Sequence, residues 1–264
     1  MLQRRSQALS SEAFLSLNRF QKLAFFTTAN DPQGFPQDSL AEVAFAGRSN
    51  AGKSSAINTL ANRNRLAFTS KTPGRTQHIN FFTAGPGQYL VDLPGYGFAG
   101  VPLEIRRHWE NFLSGYLQRR GPLLGLAVLM DIRHPLTRLD QQMLDWFLPS
   151  GRPVLLLLTK SDKLSRSQRM KVVREVRAAV APRAANLSVV AFSSVSREGL
   201  EETIAVVDGW LAAGTALAEA EAASAAAAEG AGSGAAAEAQ PGAEHASGIQ
   251  KDPPTELGRG MEEP

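Results

Sequence analysis

Short apolar runs alternate along the chain with longer segments in which apolar residues recur every three or four positions. The runs at 123–130, 153–158 and 187–191 are almost wholly apolar, which is typical of strands buried on both faces of a sheet. The full pattern predicts strands at 42–47, 78–84, 88–93, 123–131, 153–159 and 187–192, and helices at 53–62, 102–119, 138–148, 165–181 and 198–213. This alternation predicts a three-layer α/β/α fold with a mostly parallel, six-stranded sheet. Because Gly85-Pro86-Gly87 predicts a hairpin between the second and third strands, one edge strand is expected to be antiparallel.

The ends of the chain differ from this central pattern. Residues 1–38 are predicted to form an extension that packs on, or trails from, a domain at 39–213. From residue 214 onward Ala, Glu and Gly dominate and no aromatic residue occurs. Because such a segment buries too little apolar surface to offset its chain entropy, residues 214–264 are predicted to be a disordered tail.

Several classes of protein are disfavoured by composition. The chain contains no cysteine, which excludes disulfides and thiolate metal sites, and it has no stretch of 18 apolar residues for a membrane span. The first thirty residues lack the continuous apolar core of a secretory signal, although an organellar targeting role stays open. We expect a cytoplasmic monomer without stable membrane association.

Residues 47–54, GRSNAGKS, fit the GxxxxGK[ST] pattern of a phosphate-binding loop. The loop lies between a predicted strand and a predicted helix, which is the setting that this motif requires. Lys53 is placed to reach the β- and γ-phosphates, and the Ser54 hydroxyl is placed to bind Mg²⁺. The candidate nucleotide contacts here are Gly47, Arg48, Ser49, Asn50, Ala51, Gly52, Lys53 and Ser54.

Two later motifs predict which base is bound. Thr159, Lys160, Ser161 and Asp162 follow a buried strand, at the sheet edge where ligands bind in doubly wound folds. The Asp162 carboxylate can accept hydrogen bonds from guanine N1–H and the 2-amino group, a donor pair that adenine lacks. The stem of Lys160 can cover the base. Phe192, Ser193 and Ser194 follow the next strand and are predicted to bring backbone N–H groups to guanine O6.

Between these motifs lie candidate contacts to the γ-phosphate. Asp92, Leu93, Pro94 and Gly95 form a DxxG sequence in which Asp92 would hold Mg²⁺ through water and the Gly95 N–H would meet the γ-phosphate. Thr76 stands 22 positions after Ser54, a plausible interval for the second protein ligand of Mg²⁺. The candidate contacts around it are Gly74, Arg75, Thr76, Gln77 and His78.

Six stretches together resemble the EngB (YihA/YsxC) family of P-loop GTPases. They are GRSNAGKS at 47–54, SKTPGRTQ at 70–77, DLPGYG at 92–97, DIRHPL at 131–136, TKSD at 159–162 and FSS at 192–194. The second and fourth are more specific to this family than the general GTPase signatures. The resemblance implies a Ras-like P-loop GTPase domain that hydrolyses GTP to GDP with Mg²⁺. It further implies a switch in assembly of the large ribosomal subunit, with a link to cell division and septation.

Two positions bear on the mechanism. Tyr96 follows the DxxG sequence where many GTPases have a water-positioning glutamine, so we expect slow intrinsic hydrolysis that a partner or an ion stimulates. Asn50 has two open interpretations: asparagine tolerates a positive φ, and in related GTPases an asparagine at this place helps to hold K⁺. No catalytic group is assigned, and Arg48, Arg75 and Arg133 are weak candidates for phosphate contact.

Charge separates the body of the chain from its tail. Residues 214–264 hold nine acids and two bases, a net of −7, so the total of +3 leaves +10 on residues 1–213. A basic surface attracts phosphate polymers, and bases cluster at 106–120 and 166–177. Together with the resemblance, this favours contact with ribosomal RNA or a large-subunit precursor. The alternatives are a GTP-dependent switch on a protein partner such as the division machinery, without RNA contact, and an ATP-using P-loop enzyme, against which Asp162 argues.

Overall fold

The computed structural model describes residues 16, 18–67, 78–96 and 103–233, with only the backbone described for 103–110 and 229–233. Seven strands form one sheet: β1 (Ala24–Ala29), β2 (Ala41–Gly47), β3 (Ile79–Gly85), β4 (Gln88–Asp92), β5 (Leu123–Asp131), β6 (Val154–Thr159) and β7 (Leu187–Ala191). Their order across the sheet is β1-β3-β4-β2-β5-β6-β7. Strand β3 is antiparallel to both of its neighbours, and all other pairs are parallel. The predicted α/β class and mostly parallel sheet are confirmed.

Helices cover both faces of the sheet. They are α1 (Lys53–Leu60), α2 (Leu103–Arg119), α3 (Arg138–Phe147), α4 (Arg166–Val180) and α5 (Leu200–Ser233). Residues of α2, α3 and α4 belong to one buried apolar cluster, and residues of α1 and α5 belong to a second cluster on the other face. Every residue of β2, β4 and β6 is buried, which explains why these strands lack apolar–polar alternation. Among the described residues, none of the helices has the length and apolar character needed to cross a membrane.

The prediction of six strands with an antiparallel edge strand was wrong in one respect. Strand β1, from the segment predicted to be an extension, pairs with β3 and takes the edge position. Phe20 and Leu23, just before β1, are fully buried in the cluster that contains α1 and α5. The strand pattern is difficult to recognise in the sequence because Phe25 and Phe26 stay about half exposed, at 56% and 49%. In addition, the pairing register with β3 shifts between Phe25 and Thr27.

Helix α5 extends beyond residue 213, where the sequence predicted that the helix would end. The Thr215 hydroxyl accepts a hydrogen bond of 2.8 Å from the Gln88 side chain, and a Cβ on Gly214 would overlap Leu124. The chain divides into units at Met1–Glu221 and Ala222–Pro264, and within the second unit residues 222–233 are helical. The prediction of disorder from 214 therefore fails for 214–233, and 234–264 lie outside the described residues. Alanine and glutamate have high helix propensity, and extension of an existing helix avoids the cost of nucleation.

Candidate guanine-nucleotide site

The predicted nucleotide-binding motifs meet at the carboxyl edge of the parallel strands. The loops that follow β2, β4, β6 and β7 lie at this edge and carry the GRSNAGKS, DxxG, TKSD and FSS sequences, respectively. In doubly wound sheets this edge holds the ligand. Of the predicted site residues, Gly74, Arg75, Thr76 and Gln77 lie outside the described residues. His78 is half-buried and directly precedes β3.

The loop between β2 and α1 has the backbone conformation that its sequence predicts. Asn50 has a φ of 65° and Gly52 a φ of 95°, and the Ala51 N–H donates to the Arg48 carbonyl at 2.9 Å. A Cβ on Gly47 would lie 3.0 Å from the Leu129 carbonyl oxygen, so glycine is needed where this loop passes β5. The loop leads directly into the first turn of α1, whose free N–H groups and dipole favour an anion.

Lys53, Ser54 and Asp92 supply the chemical groups expected around a nucleotide-bound Mg²⁺. The Lys53 ammonium contacts the Asp92 carboxylate, and all three side chains are largely buried. Within the described residues, no group of three or more His, Cys, Asp or Glu side chains could hold a metal on its own. A hydroxyl and a carboxylate nevertheless fit Mg²⁺ in a nucleotide site, because phosphate oxygens and water complete its shell there. The described residues are therefore compatible with Mg²⁺.

Hydrogen bonds join the DxxG segment to β2 and to the phosphate-binding loop that follows it. The Leu93 N–H donates to the Phe45 carbonyl at 3.0 Å, and the Tyr96 N–H donates to the Gly47 carbonyl at 3.3 Å. In return, the Ser49 N–H donates to the Tyr96 carbonyl at 3.2 Å. A Cβ on Gly95 would lie 3.5 Å from the Ser49 nitrogen. The backbone of Gly95 therefore lies beside the phosphate-binding loop.

The Tyr96 side chain is directed into the protein. Its hydroxyl donates to Oδ1 of Asp140 at 2.9 Å, and Asp140 in α3 is fully buried. Arg48 Nε lies 3.6 Å from the same oxygen. Burial raises the pKa of Tyr96 far above its usual value, with the nearby Asp140 carboxylate as the second cause. Tyr96 therefore serves as a link to α3, and Arg48, a candidate for phosphate contact, lies beside Asp140.

The TKSD segment is bonded to the phosphate-binding loop. The Thr159 hydroxyl contacts the carbonyl oxygens of Ala51 at 2.6 Å and Met130 at 3.1 Å. Lys160 has a φ of 58°, and its ammonium donates to the Asn50 carbonyl at 2.8 Å. These contacts fix the position of the predicted base-binding residues relative to the predicted phosphate-binding residues.

Asp162 and Ser193, which the sequence assigns to the same base-binding region, are in direct contact. The Ser193 hydroxyl donates to Oδ1 of Asp162 at 2.7 Å, and the Lys163 ammonium lies 3.3 Å from Oδ2. The Ser193 hydrogen bond, and then Lys163, hold the pKa of Asp162 below its usual value against the opposing effect of desolvation. The carboxylate is therefore ionised at neutral pH and available as a hydrogen-bond acceptor.

The structure adds acidic residues that the sequence did not single out. Glu198 accepts a hydrogen bond of 2.6 Å from the buried Ser161 hydroxyl and pairs with Arg169 at 3.0 Å. Asp131 at the end of β5 binds Arg133 through two nitrogens, at 2.9 and 2.7 Å. Arg133, the other described candidate for phosphate contact, is therefore engaged by Asp131. The DIRHPL stretch was the only sequence signal near Asp131, and no local signal marked Glu198 or Asp140.

Comparisons with known proteins agree with this geometry. Residues 42–160 match the family described as 50S ribosome-binding GTPase. The chain is 57% identical over 194 residues to the probable GTP-binding protein EngB of Dechloromonas aromatica, covering 73% of this chain and 88% of that protein. It is 52% identical over 204 residues to the protein of the same name from Neisseria meningitidis serogroup B, covering 76% and 97%.

A comparison of structures supports the fold. A crystal structure of an Era variant from Aquifex aeolicus bound to GDP·AlF4⁻ is similar with a TM-score of 0.52 and 18% identity, covering 64% of this chain and 56% of that one. Because the identity is low, this similarity bears on the fold alone. The two relatives match most of their own length and carry more than half of the same residues. The chain therefore belongs to the EngB family of GTP-binding proteins and is a P-loop GTPase.

Proposed function

We propose that this GTPase acts as a GTP-dependent switch in assembly of the large ribosomal subunit and works in the cytoplasm, with a link to cell division through its family. The observation that carries the proposal is the match of residues 42–160 to a family described as 50S ribosome-binding. The net charge of +10 on residues 1–213 adds support, because a basic surface attracts RNA phosphates.

In this proposal the described motifs bind the nucleotide. Lys53 contacts the β- and γ-phosphates, Gly95 reports the γ-phosphate, Asp162 reads the guanine edge and Lys160 covers the base. The remaining contacts predicted from the sequence would contribute to the same site. Ser54 and Thr76 would hold Mg²⁺, with Asp92 acting through water, and the ion would neutralise charge on the phosphates.

Contacts within the protein narrow the choice of RNA-binding residues. Three arginines of the basic clusters at 106–120 and 166–177 are bound within the protein. Arg120 binds the buried Glu42, Arg169 pairs with Glu198, and Arg177 donates to the Val189 carbonyl. Arg166 and Arg174 are exposed on α4 and have no ion pair or side-chain hydrogen bond within the described part of the chain. We therefore propose that these two arginines of α4 take part in the RNA contact.

The test is sedimentation of the full chain with large-subunit precursor particles, in GDP and in a non-hydrolysable GTP analogue. Co-sedimentation is expected in the GTP analogue, and replacement of both Arg166 and Arg174 by Glu should remove it. The control replaces the exposed Arg63 and Arg65 by Glu, which changes the net charge equally at another place.

The possible results separate the alternatives. If the control variant loses particle binding to the same extent as the Arg166/Arg174 variant, the overall charge of the protein is responsible for binding, and α4 is not the contact site. If no particle binds in either nucleotide state while a protein partner is captured after nuclease treatment, a switch on that protein replaces the ribosomal proposal.

A further inference from the structure

Asp131 lies where two loops of the candidate site approach each other. Asp131 ends β5 and is aligned with Thr159, the last residue of β6. Lys160 directly follows that strand. The Lys160 ammonium lies 3.1 Å from Oδ2 of Asp131. Asp131 is largely buried, with 7% of its surface exposed, whereas Lys160 is partly exposed. The carboxylate is thus a fixed acceptor close to a flexible cation.

Lys160 has a second fixed acceptor, the Asn50 carbonyl at 2.8 Å. A lysine side chain has four rotatable bonds and many rotamers, so an untethered ammonium spends much of its time in solvent. Two acceptors from different loops select one direction for the stem. The same two contacts connect the end of β5 to the phosphate-binding loop through a single side chain.

Arg133 fixes the position of the Asp131 carboxylate. Its guanidinium binds both carboxylate oxygens, and its backbone N–H donates to Oδ1 at 3.1 Å. These bonds, with the Arg133 side chain as the largest cause, hold the pKa of Asp131 well below its usual value. Oδ2 therefore has two cationic partners, Arg133 at 2.7 Å and Lys160 at 3.1 Å.

We propose that Asp131 is a positioning residue for guanine-nucleotide binding, which acts by holding the Lys160 stem in the direction that covers the base. This rests on the proposed role of Lys160 in the nucleotide site. Asp131 does not touch the nucleotide in this arrangement. Its contribution to affinity is therefore expected to depend entirely on the lysine ammonium.

The experiment is a double-mutant cycle on the full chain, with the affinity and dissociation rate of fluorescent GDP as readouts. Asp131→Asn should weaken GDP binding about five- to tenfold, mainly through faster dissociation, because it removes one charged partner of a half-exposed lysine. In a Lys160→Met background, which keeps an apolar stem but lacks the ammonium, Asp131→Asn should cause no further loss. Asp131→Glu should recover part of the affinity.

The control is Asp145→Asn, which removes the aspartate of another arginine–aspartate pair, between Asp145 and Arg183. Urea unfolding without nucleotide separates loss of stability from loss of positioning. If Lys160→Met leaves GDP affinity unchanged, holding the ammonium contributes nothing and the positioning role of Asp131 fails, whereas failure of the base site itself would appear as unchanged GDP affinity in Asp162→Asn. If Lys160→Met weakens binding but Asp131→Asn does not, or if the two losses add in the double variant, only the positioning role of Asp131 is overturned.

Discussion

Replacement of Tyr96 by Phe tests whether this residue is a structural link or part of the reaction. The change removes one hydroxyl and keeps the ring. Among the described residues, Oδ1 of Asp140 then loses its one hydrogen bond at normal distance. Arg48 Nε lies 3.6 Å away, and both Thr137 contacts go to Oδ2. Loss of a hydrogen bond to a buried charged acceptor costs about 1.5–3 kcal/mol. For a domain of this size, a loss of about 2 kcal/mol corresponds to a melting temperature lower by about 4–8 °C.

Tyr116→Phe provides a matched control on another part of the fold. Tyr116 also donates from a buried hydroxyl to a buried carboxylate, Glu42, at 2.7 Å. Glu42 retains Arg120 on its other oxygen, so the loss of stability should be somewhat smaller. The assays are thermal unfolding and GTP turnover, measured for both variants in the same buffer.

Both variants should keep GTP turnover within about threefold of the unchanged protein, a difference below about 0.7 kcal/mol in activation free energy. The reason is that the Tyr96 hydroxyl is directed at α3 and not at the region of the phosphates. A tenfold or greater loss of turnover in Tyr96→Phe alone, with stability losses similar in the two variants, would refute this reasoning and place the hydroxyl in the reaction.

Three further predictions follow from the candidate site. Asp162→Asn should weaken GTP binding by about 2–4 kcal/mol and shift the preference toward xanthosine nucleotides, because the charged group that accepts two hydrogen bonds from guanine is lost. Unchanged GTP affinity would show that Asp162 does not read the base. If Asn50 helps to hold K⁺, GTP turnover should rise when K⁺ replaces Na⁺ at constant ionic strength, and Asn50→Ala should abolish that rise. Equal turnover rates in the two salts would leave Asn50 only the conformational role that its φ of 65° supports. The low folded-state pKa of Asp131 contributes stability above the unfolded value of about 4, and this should be lost as pH falls below about 4. Acid titration of unfolding should therefore show a smaller pH dependence in Asp131→Asn, and an identical slope would contradict the assignment.

The sequence was sufficient to predict the parallel core of the fold. Strands such as β6 are continuous apolar runs because both faces are covered, and this pattern needs no knowledge of distant contacts. Strand β1 was missed because its assignment depends on pairing with β3 more than 50 residues later, and its exposed phenylalanines give no alternation. The helical residues after 213 were missed because composition alone does not reveal that α5 begins in a packed region, which removes the cost of nucleation.

The sequence also predicted the candidate ligand-binding residues, but not the residues that support them. Residues expected to face the nucleotide occur in short motifs, because one loop must present several groups to one ligand. The residues that hold these motifs in place are distant in the sequence. The Tyr96–Asp140 bond joins residues 44 positions apart, and the Ser161–Glu198 bond joins residues 37 positions apart. Nothing in the local sequence around Asp140 or Glu198 distinguishes these acids from solvated helix or loop residues.

The acidic supports have a common physical logic, in which Asp131 and Asp140 are buried and Glu198 is partly exposed. A buried carboxylate is costly unless it is paired, so each one is stable only when its partners are held in place. Asp131 holds Lys160, Asp140 holds Tyr96, and Glu198 holds Ser161. In each case the acid binds a residue in or directly beside a motif, and does not itself belong to the predicted set of ligand contacts. Substitution of such an acid should therefore change stability and nucleotide affinity together, whereas substitution of a base reader such as Asp162 should change affinity with little effect on the free energy of unfolding.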